Sequence, residues 1–529
     1  MQQFSFDFRD PIHDVHGLKL GLQVITFENT YGLDPDRTTM TGSGDAQLIR
    51  AEGLQWAGGQ EKCCGRAELS VRQTPEGVEL QASAEMPTKV RCLKVIVSGL
   101  PRGRIIGSRW AEQEVPAGGL ILGYPRGGLP APVMFLDGGG GDWIGFRSMD
   151  DRVREKRFAI YEVGETFTVE LIHEEAGHEM GAQVTTPPWV LTRGVAPEAV
   201  IAAHIPHLEK AFGLQPWETR PDVPDWARQI SFVAALHCMH WSGYVFNTYA
   251  QALDALRWVC ERIEGRRVLA FLPGWEGRYY WQYGEYWPHE RLGGVEGFRR
   301  LVEGAHELGA HVCPMLGGNC ANTGLENFEQ WGATSHLMSA GGAIFQGNKP
   351  DWDVARAHDT GWQAWLNPGA PGWGNRLFDQ SARLVEDLGV DALFYDTAGC
   401  WTNDPNHPVH DGYLRLRDRL KQRFPELLLT GEHWYSGLGA ALPVSHSSVP
   451  EQFIEVFSRY NRRWQHLNTG DPSRGSTGVH ELGTNPWMLP ELREDLWPTV
   501  TFVDGTIEEA PERVEQVIEL AKQYADRFL

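Results

Sequence analysis

The stretch NRLFDQSARLVEDLGVDALFYDTAG, residues 375–399, carries the two-part pattern that repeats through the C-terminal half of the chain. Its first part has apolar residues at helical spacing, and its second part contains ALFYD, a continuous apolar run that ends in a carboxylate. A helix followed by a short buried strand is typical of a parallel sheet covered by helices, because parallel strands need a long crossover connection.

The same order recurs over about 300 residues, from about residue 230 to the C-terminus. The other strand-like runs are ISFVAALHCMHW (230–241), RRVLAFLPGWEG (266–277), HVCPMLGGN (311–319), LLLTGEHW (427–434), STGVHELG (476–483) and TVTFVDG (499–505). About seven or eight strand–helix units can be counted, which predicts a (β/α)8 TIM barrel. An open doubly wound sheet is the alternative, but no G-x-G-x-x-G turn follows the first strand.

Residues 1 to about 205 have a different pattern. Short alternating runs such as GVELQASAEM (77–86) and TFTVELIHEE (166–175) are separated by Gly, Pro and Asp turns, which predicts an antiparallel β-sandwich. A Pro-rich stretch, LQPWETRPDVPDW (214–226), is typical of a linker. Because 529 residues exceed the roughly 250–300 at which one core stops growing, we expect several domains. The expected divisions are a sandwich at 1–210, a linker at 211–226 and a barrel at 227–529.

Composition and charge narrow the class of protein. The net charge of −21 argues against a nucleic-acid partner, which would need a positive surface. The sequence has no run of 18 apolar residues and no basic-then-apolar start, so it predicts neither a membrane span nor a secretory signal. The eight cysteines form no C-x-x-C pair, which favours reduced thiols in a cytoplasmic protein. The 60 glycines and 21 tryptophans favour irregular, aromatic-lined surfaces such as sugar sites, and a homo-oligomer remains open.

Side chains suited to catalysis or sugar binding collect where the predicted strands end, which is where barrels of this kind place their active sites. Aromatic rings stack on sugars, and polar side chains bind sugar hydroxyls. We therefore expect a carbohydrate substrate and no cofactor. The candidate substrate-binding residues are Trp241, Trp275, Glu276, Arg278, Asn319, Trp365, Trp401, His433, Trp434, Glu481 and Asp504.

Asp396 and Glu432 are the candidate catalytic pair. Each ends an apolar run, and the 36 positions between them, about one helix plus one strand, predict adjacent strands. Adjacent strands lie about 4.8 Å apart, and carboxyl groups about 5–5.5 Å apart suit a retaining glycosidase with a carboxylate nucleophile and a carboxylic acid/base. The structural alternative is that they cap the next helix or pair with basic residues, for which Arg459, Arg462 and Arg463 are available.

The segment AWLNPGAPGWGNRLFDQSARLVEDLGVDALFYDTAG (364–399) resembles the α-retaining glycoside hydrolase barrels. These include the α-galactosidase, α-glucosidase and α-amylase groups and the endo-α-N-acetylgalactosaminidases, several of which also have a β-sandwich. Their pattern ends in Gly-Val-Asp-hydrophobic-hydrophobic-Asp, and the last Asp is the nucleophile on the fourth strand. The resemblance implies that Asp396 is the nucleophile. In the amylase-like and endo-acting groups a Glu on the fifth strand is the acid/base, so the resemblance to those groups implies this role for Glu432.

The sequence leaves open which group of these enzymes it resembles most. The amylase group has an Arg two positions before the nucleophile, where this sequence has Phe394. The α-galactosidase-like group uses an Asp of the sixth strand as the acid, for which no clear counterpart is found, and Glu432 would then bind substrate. Glu481 is the rival acid. β-Retaining enzymes use glutamates on strands four and seven, however, and strand four of this sequence offers an Asp instead. Asp504 is either a sugar ligand or a cap for a helix that begins near Thr506.

Two other functions compete with a retaining, α-specific glycosidase. A metal-dependent barrel hydrolase could use His237 and His240, with His311, His433 and Asp504 as further ligands. The two histidines are three positions apart, however, which on a strand points them to opposite faces. A non-catalytic carbohydrate-binding protein would keep the aromatic residues without needing both carboxylates.

Overall fold

The computed structural model describes residues 12–107, 112–240, 243–277, 281–345, 363–432, 435–446, 458–464 and 491–529. All eight cysteines are free thiols. Among the helices in these ranges, none has both the length and the apolar character needed to cross a membrane.

The N-terminal half consists of two antiparallel sheets, as the sequence predicts. Strand β8 shows the reason, because its alternate residues Ala67, Leu69 and Val71 are fully buried while their neighbours are more exposed. The strands are β1 (His13–Val15), β2 (Leu18–Thr26), β3 (Thr30–Leu33), β4 (Thr38–Ser43), β5 (Ala46–Ala51), β6 (Leu54–Trp56), β7 (Glu61–Cys63), β8 (Arg66–Thr74), β9 (Gly77–Glu85), β10 (Val90–Leu100), β11 (Ile105–Ile106), β12 (Glu112–Gln113), β13 (Leu120–Tyr124), β14 (Val133–Asp137), β15 (Trp143–Ser148), β16 (Lys156–Val163), β17 (Thr166–Glu174), β18 (Gln183–Thr185) and β19 (Trp189–Arg193).

The two sheets share one core. The first has the order β13-β16-β17-β10-β2-β3-β6-β7, with β1 beside β2, and the second has the order β12-β11-β14-β15-β19-β9-β8-β5-β4, with β18 beside β9. Buried side chains of both, such as Val95 in the first and Leu80 in the second, belong to one hydrophobic cluster. Together the sheets form a sandwich-like unit.

The connection out of the sandwich is more ordered than a free linker. After β19 ends at Arg193, helix α1 occupies Pro197–Phe212, so the last part of the stretch assigned to the sandwich is helical. Further along, the buried Arg220 guanidinium donates to the carbonyl oxygens of Tyr460 at 2.7 Å and Gly439 at 3.0 Å. The segment is therefore held against the C-terminal half by buried hydrogen bonds.

The C-terminal half is built on a parallel sheet of nine strands. Its order is β29-β28-β27-β26-β25-β22-β21-β20-β30, and strands β23 and β24 form a separate antiparallel pair. The strands are β20 (Phe232–Leu236), β21 (Val268–Leu272), β22 (His311–Gly317), β23 (Cys320–Asn322), β24 (Gln363–Trp365), β25 (Ala392–Asp396), β26 (Leu428–Glu432), β27 (Val444–His446), β28 (Arg462–Trp464), β29 (Leu496–Trp497) and β30 (Thr499–Phe502).

This sheet is nearly closed. Its two edge strands, β29 and β30, are separated in the chain only by Pro498, and β29 pairs with β28 while β30 pairs with β20. Aromatic rings fill the interior, with Phe271 4.8 Å from Phe394 and Trp464 5.6 Å from Phe394 between ring centroids. The result is a barrel-like sheet with a packed core.

The helices cover this sheet less regularly than a count of eight strand–helix units predicts. The described helices of this half are α2 (Tyr249–Cys260), α3 (Gly294–Glu307), α4 (Phe328–Trp331), α5 (Pro371–Leu388), α6 (Val409–Arg423), α7 (Thr506–Glu509) and α8 (Pro511–Phe528), whereas α1 lies against strand β15 of the sandwich. Within the described residues, the connection from β26 to β27 contains only the single 3-10 turn Leu438–Ala440. The expected fold is therefore confirmed as a sandwich followed by a barrel-like parallel sheet. The residues that the structure describes do not show eight regular strand–helix units.

Candidate active site

Asp396 reaches the site because of its place in strand β25. All five residues of β25 are buried. Side chains alternate along a strand. Tyr395 lies on the helix side, where its hydroxyl is 2.9 Å from Ser381 Oγ of α5, whereas Phe394 packs into the barrel interior. Asp396 shares the face of Phe394 at the C-terminal end of the strand, as the sequence predicts, and its Oδ2 accepts a hydrogen bond of 2.8 Å from the Tyr283 hydroxyl.

Glu432 ends the neighbouring strand, β26, which pairs in parallel with β25. Its carboxyl group is hydrogen-bonded to that of Asp396, and its Oε2 accepts the Thr397 N–H at 3.0 Å. Burial raises the pKa of Glu432, against the opposing effect of these two hydrogen bonds. A hydrogen bond between two carboxyl groups needs a proton on one of them. The pair therefore holds a proton and a negative charge together, as an acid and a nucleophile require.

Thr397 holds this pair in place through an unfavourable backbone conformation. Its φ is +63°, in the left-handed region that a β-branched residue seldom adopts. Its hydroxyl donates to the Asp396 carbonyl at 2.6 Å and accepts the Asn319 N–H at 3.2 Å, while its own N–H is directed at Glu432. Strain of this kind persists where surrounding contacts over-determine the conformation, which is common at functional sites.

Glu276 is a third carboxyl group near the pair. It follows strand β21, is 1% exposed, and neither of its carboxyl oxygens has a hydrogen-bond partner among the described residues. Burial raises its pKa to about 8, and the negative charge of Asp396 adds to the rise. A buried carboxyl group without a partner is costly for folding, so its retention here suggests a role in binding.

Two of the predicted sugar-binding residues make buried hydrogen bonds within the fold. Trp275 is fully buried, and its Nε1–H donates to the Met315 carbonyl at 2.9 Å. Asn319 is also fully buried, and its amide donates to the carbonyl oxygens of Leu366 and Cys400, both at 3.3 Å. The Asn319 bond to Cys400 holds the loop that follows Asp396.

Trp365, Trp401 and Asp504 occupy three different surroundings. Trp365 is half-buried and packs edge-on against Phe345, with ring centroids 5.6 Å apart. Trp401 is 5% exposed and lines a cavity of about 200 Å³ between the sandwich and the loop after β25. Asp504 accepts a hydrogen bond from the Tyr244 hydroxyl. It does not cap helix α7, because the N-cap residue is Gly505 and no side chain makes a capping hydrogen bond there.

The histidine pair is arranged differently from the sequence interpretation. Strand β20 ends at Leu236, so His237 and His240 lie beyond it, and the prediction that they point to opposite faces is wrong. Both rings contact Phe246, at centroid distances of 5.1 and 5.7 Å. Burial lowers the pKa of His237 to about 3. In the parts of the chain that the structure describes, no three His, Cys, Asp or Glu side chains are grouped to hold a metal ion.

Five predicted site residues lie outside the described residues: Trp241, Arg278, His433, Trp434 and Glu481. Sequence reasoning also missed two residues that contact the pair directly. Thr397 could have been noticed as the residue next to Asp396, but its φ has no sequence signal. Tyr283 lies 113 positions from Asp396 in the chain, within an aromatic-rich loop that offers several equivalent candidates.

The chain shares its fold with known α-glycosidases. It is similar to the α-N-acetylgalactosaminidase NagBb from Bifidobacterium bifidum in its GalNAc complex, with a TM-score of 0.67 and 14% identity, over 99% of this chain and 94% of that one. It is also similar to the GH36 α-galactosidase AgaA from Geobacillus stearothermophilus, with a TM-score of 0.52 and 12% identity, over 96% of this chain and 75% of that one. No family model and no curated protein matches the sequence. The resemblance of residues 364–399 to α-glycoside hydrolase barrels is thus confirmed at the level of the fold.

Proposed function

We propose that this protein is a retaining glycoside hydrolase specific for α-glycosides. The observation that carries the proposal is the hydrogen-bonded pair of Asp396 and Glu432 at the ends of adjacent parallel strands. One buried carboxyl group with a raised pKa beside a second one supported by a tyrosine hydroxyl is what a double displacement requires. The fold shared with NagBb and AgaA supports the α-specificity.

In the first step, the anomeric carbon takes its place beside Asp396 and the glycosidic oxygen replaces Asp396 as the partner of Glu432. A carboxylate oxygen of Asp396 forms a bond to the anomeric carbon, and the bond from that carbon to the leaving oxygen breaks. The Glu432 proton passes to the leaving oxygen, which departs as an alcohol. The products of this step are a glycosyl ester on Asp396 and an ionised Glu432.

In the second step, Glu432 takes a proton from water as the water oxygen bonds to the anomeric carbon. The ester bond to Asp396 breaks, so both side chains return to their starting forms. Two inversions give net retention of configuration. The Tyr283 hydroxyl donates a hydrogen bond to Asp396 Oδ2 and so orients the nucleophile. The Thr397 N–H donates a hydrogen bond that orients Glu432.

For the sugar, we propose galactose or N-acetylgalactosamine in α-linkage. NagBb has been crystallised with GalNAc and AgaA with raffinose, and both share this fold. Glu276 is the candidate ligand for a sugar hydroxyl, because its buried oxygens have no partner among the described residues. Of the other predicted sugar ligands within those residues, Trp365 and Asp504 stay in the proposal. Glu481 stays as the rival acid.

The proposed architecture is a (β/α)8 barrel at 227–529 behind a sandwich at 1–210. It is supported by the continuity of β29 and β30 through Pro498, which leaves eight strand positions around the sheet. A cytoplasmic location and a possible homo-oligomer are further parts of the proposal that rest on sequence alone.

The test is a screen of 4-nitrophenyl α- and β-glycosides of galactose and N-acetylgalactosamine. We expect hydrolysis of an α-glycoside, first release of the α-anomer by NMR, and a loss of about 10⁴-fold or more in kcat for Asp396→Asn, because a nucleophile has no substitute. Asp418→Asn, on the exposed face of α6, is the control and should keep full activity. First release of the β-anomer, or an active Asp396→Asn, would refute the mechanism, and sugar binding without hydrolysis would indicate a non-catalytic carbohydrate-binding protein.

A further inference from the structure

A turn of the sandwich reaches the candidate active site. It follows strand β13, and within it the guanidinium of Arg126 lies over the ring of Phe345, 4.5 Å from its centroid. Arg126 is exposed, although the stacking contact fixes the plane of its donors. A residue of one domain thus stands beside the aromatic residues of the other.

The backbone of this turn is closed on itself. The Gly123 N–H donates to the Gly127 carbonyl at 3.1 Å, and the Leu129 N–H donates to the Gly123 carbonyl at 3.0 Å. A Cβ on Gly123 would lie only 2.4 Å from the Arg126 carbonyl oxygen, so only glycine permits this approach. The position of Arg126 is therefore set by the turn itself.

The same turn is fastened to the loop that follows Glu432. The Tyr124 hydroxyl lies 3.1 Å from Ser436 Oγ, and the Ser436 N–H donates to the Pro130 carbonyl at 2.8 Å. Ser436 is four positions after Glu432 in the chain. Residues on both sides of Arg126 thus contact the loop that carries the proposed acid.

Arg126 is also connected to the loop that follows Asp396. Phe345 packs on Trp365, Trp365 pairs with Cys320 across two short strands, and the Cys320 sulfur lies 3.7 Å from the Thr397 hydroxyl. Burial raises the pKa of the Cys400 thiol to about 12, the charges of Glu432 and Asp396 add to the rise, and the charge of Arg126 opposes it. Arg126 and both carboxyl groups therefore act on the same point of this loop.

The charge of Arg126 is not neutralised within the described residues, where it has no carboxylate within ion-pair distance. The chain as a whole carries a net charge of −21, so an arginine without a carboxylate partner, whose charge acts on the same loop as Asp396 and Glu432, is unexpected. Guanidinium groups bind carboxylate, sulfate and phosphate through parallel hydrogen bonds. The arrangement suits an anionic group carried by a ligand.

We propose that Arg126 binds an anionic group on the leaving-group part of the substrate, so that the preferred substrates are α-glycosides with an acidic aglycone. The leaving group is favoured over the sugar because Arg126 belongs to the wall beside Ser436 and Phe345, next to the residue that protonates the leaving oxygen. Glu276 and Tyr283 come from the loop after β21 and face Asp396, which is the sugar side. This inference rests on the proposed function.

The test compares two aryl α-glycosides of the same sugar, with 4-carboxyphenyl and 4-carbamoylphenyl leaving groups of similar size. Arg126→Gln should lower kcat/KM about tenfold for the carboxylate and less than twofold for the carboxamide, because a hydrogen bond to a charged group contributes about 1.5–3 kcal/mol. Arg126→Lys should restore part of the preference. Arg193→Gln, which removes a positive charge from the end of β19, should change neither substrate.

Equal losses on both substrates, no loss on either, or the same loss in Arg193→Gln would overturn the inference. Calorimetric binding of both glycosides to the Asp396→Asn protein, with and without Arg126→Gln, separates it from the proposed function. A preference for the carboxylate that depends on Arg126, in a protein that hydrolyses neither glycoside, would refute hydrolysis and uphold the anion site. Hydrolysis of both glycosides without that preference would uphold the proposed function and refute the anion site.

Discussion

The sandwich and the barrel each contain a buried carboxyl group, Asp150 and Glu276, whose surroundings affect its charge in opposite ways. In the sandwich, Asp150 is 4% exposed and contacts Lys156 Nζ at 2.5 Å and the Arg154 guanidinium at 2.8 Å. In the barrel, Glu276 is 1% exposed and has no cationic partner among the described residues. The two carboxyl groups are equally hidden from water and differ in their neighbours.

The neighbours decide the protonation state. Burial alone would raise the pKa of Asp150, but Lys156 and Arg154 outweigh it and hold that pKa well below its usual range. Burial raises the pKa of Glu276, its own backbone N–H opposes that rise only in part, and the charge of Asp396 adds to it. Asp150 is thus held ionised by its two cations. Glu276 can keep its proton near neutral pH, as an acid of a catalytic site must.

The largest test of this contrast is Glu432→Gln. For glycosides with alkyl leaving groups, kcat/KM should fall about 10²–10⁴-fold, since the proton donor is lost, whereas dinitrophenyl glycosides, which leave without a proton, should lose much less. Burial raises the pKa of Glu432, so the wild-type rate should persist above the usual range of Glu and fall as pH rises through that raised pKa.

In Glu432→Gln that alkaline fall should disappear from the pH profile of kcat/KM measured with an alkyl glycoside, whose leaving group needs the proton. Glu426→Gln, on the exposed segment just before β26, is the matched control and should leave both leaving-group and pH dependence unchanged. A uniform loss across all leaving groups would show that Glu432 binds substrate rather than donating a proton.

The part of the site that local sequence could predict is the pair of strand ends. ALFYD and LLTGE are short apolar runs, each bounded by a turn, so the positions of Asp396 and Glu432 follow from the strands that carry them. Asp391, which opens the same segment, was not singled out. Its carboxylate accepts the Val312 N–H at 2.8 Å and ties the start of β25 to β22, a contact that only the sheet order creates.

The rest of the site depends on contacts between distant segments. Trp275 and Trp365 are equivalent as sequence features, yet packing buries one completely and leaves the other partly open. Tyr283 reaches Asp396 from a separate loop, and Arg126 of the sandwich stacks on Phe345 of the C-terminal half. The histidines were misplaced because the end of β20 is set by pairing with its neighbours rather than by the apolar run, which continues beyond Leu236.

The next test removes a charge from the sandwich. Asp150→Asn should lower the free energy of unfolding by about 3–5 kcal/mol, because it leaves the fully buried Lys156 without its counter-charge. Asp150 has a lowered pKa, so its contribution is present above the usual pKa of Asp and is lost only as pH falls through the lowered value. In urea unfolding the loss should therefore shrink as pH falls through that lowered value.

Glu68→Gln is the control for that measurement, because Glu68 pairs with Arg50 at 2.7 Å on the exposed face of the same sandwich. Exposed pairs contribute about 0–1 kcal/mol, so this variant should unfold almost like the wild type. Equal effects of the two substitutions would show that the buried ion pair does not hold the sandwich together.

Glu276→Gln should have the smallest effect on the free energy of unfolding, and it should stabilise the protein where Asp150→Asn destabilises it. The pKa of Glu276 is raised to about 8, so the folded protein binds a proton that the unfolded chain releases above its usual pKa, and stability falls as pH rises through that interval. The substitution removes this cost. It should stabilise the protein by about 1–2 kcal/mol at pH 8, less than the full cost because the amide also stays buried without a partner.

At pH 4 the Glu276 carboxyl group is neutral in both states, so the difference between the variant and the wild type should vanish. The control, Glu303→Gln on the exposed face of α3, should show no such trend. A destabilised Glu276→Gln at pH 8 would mean that this carboxyl group is ionised and paired, like Asp150, and the contrast between the two regions would not hold.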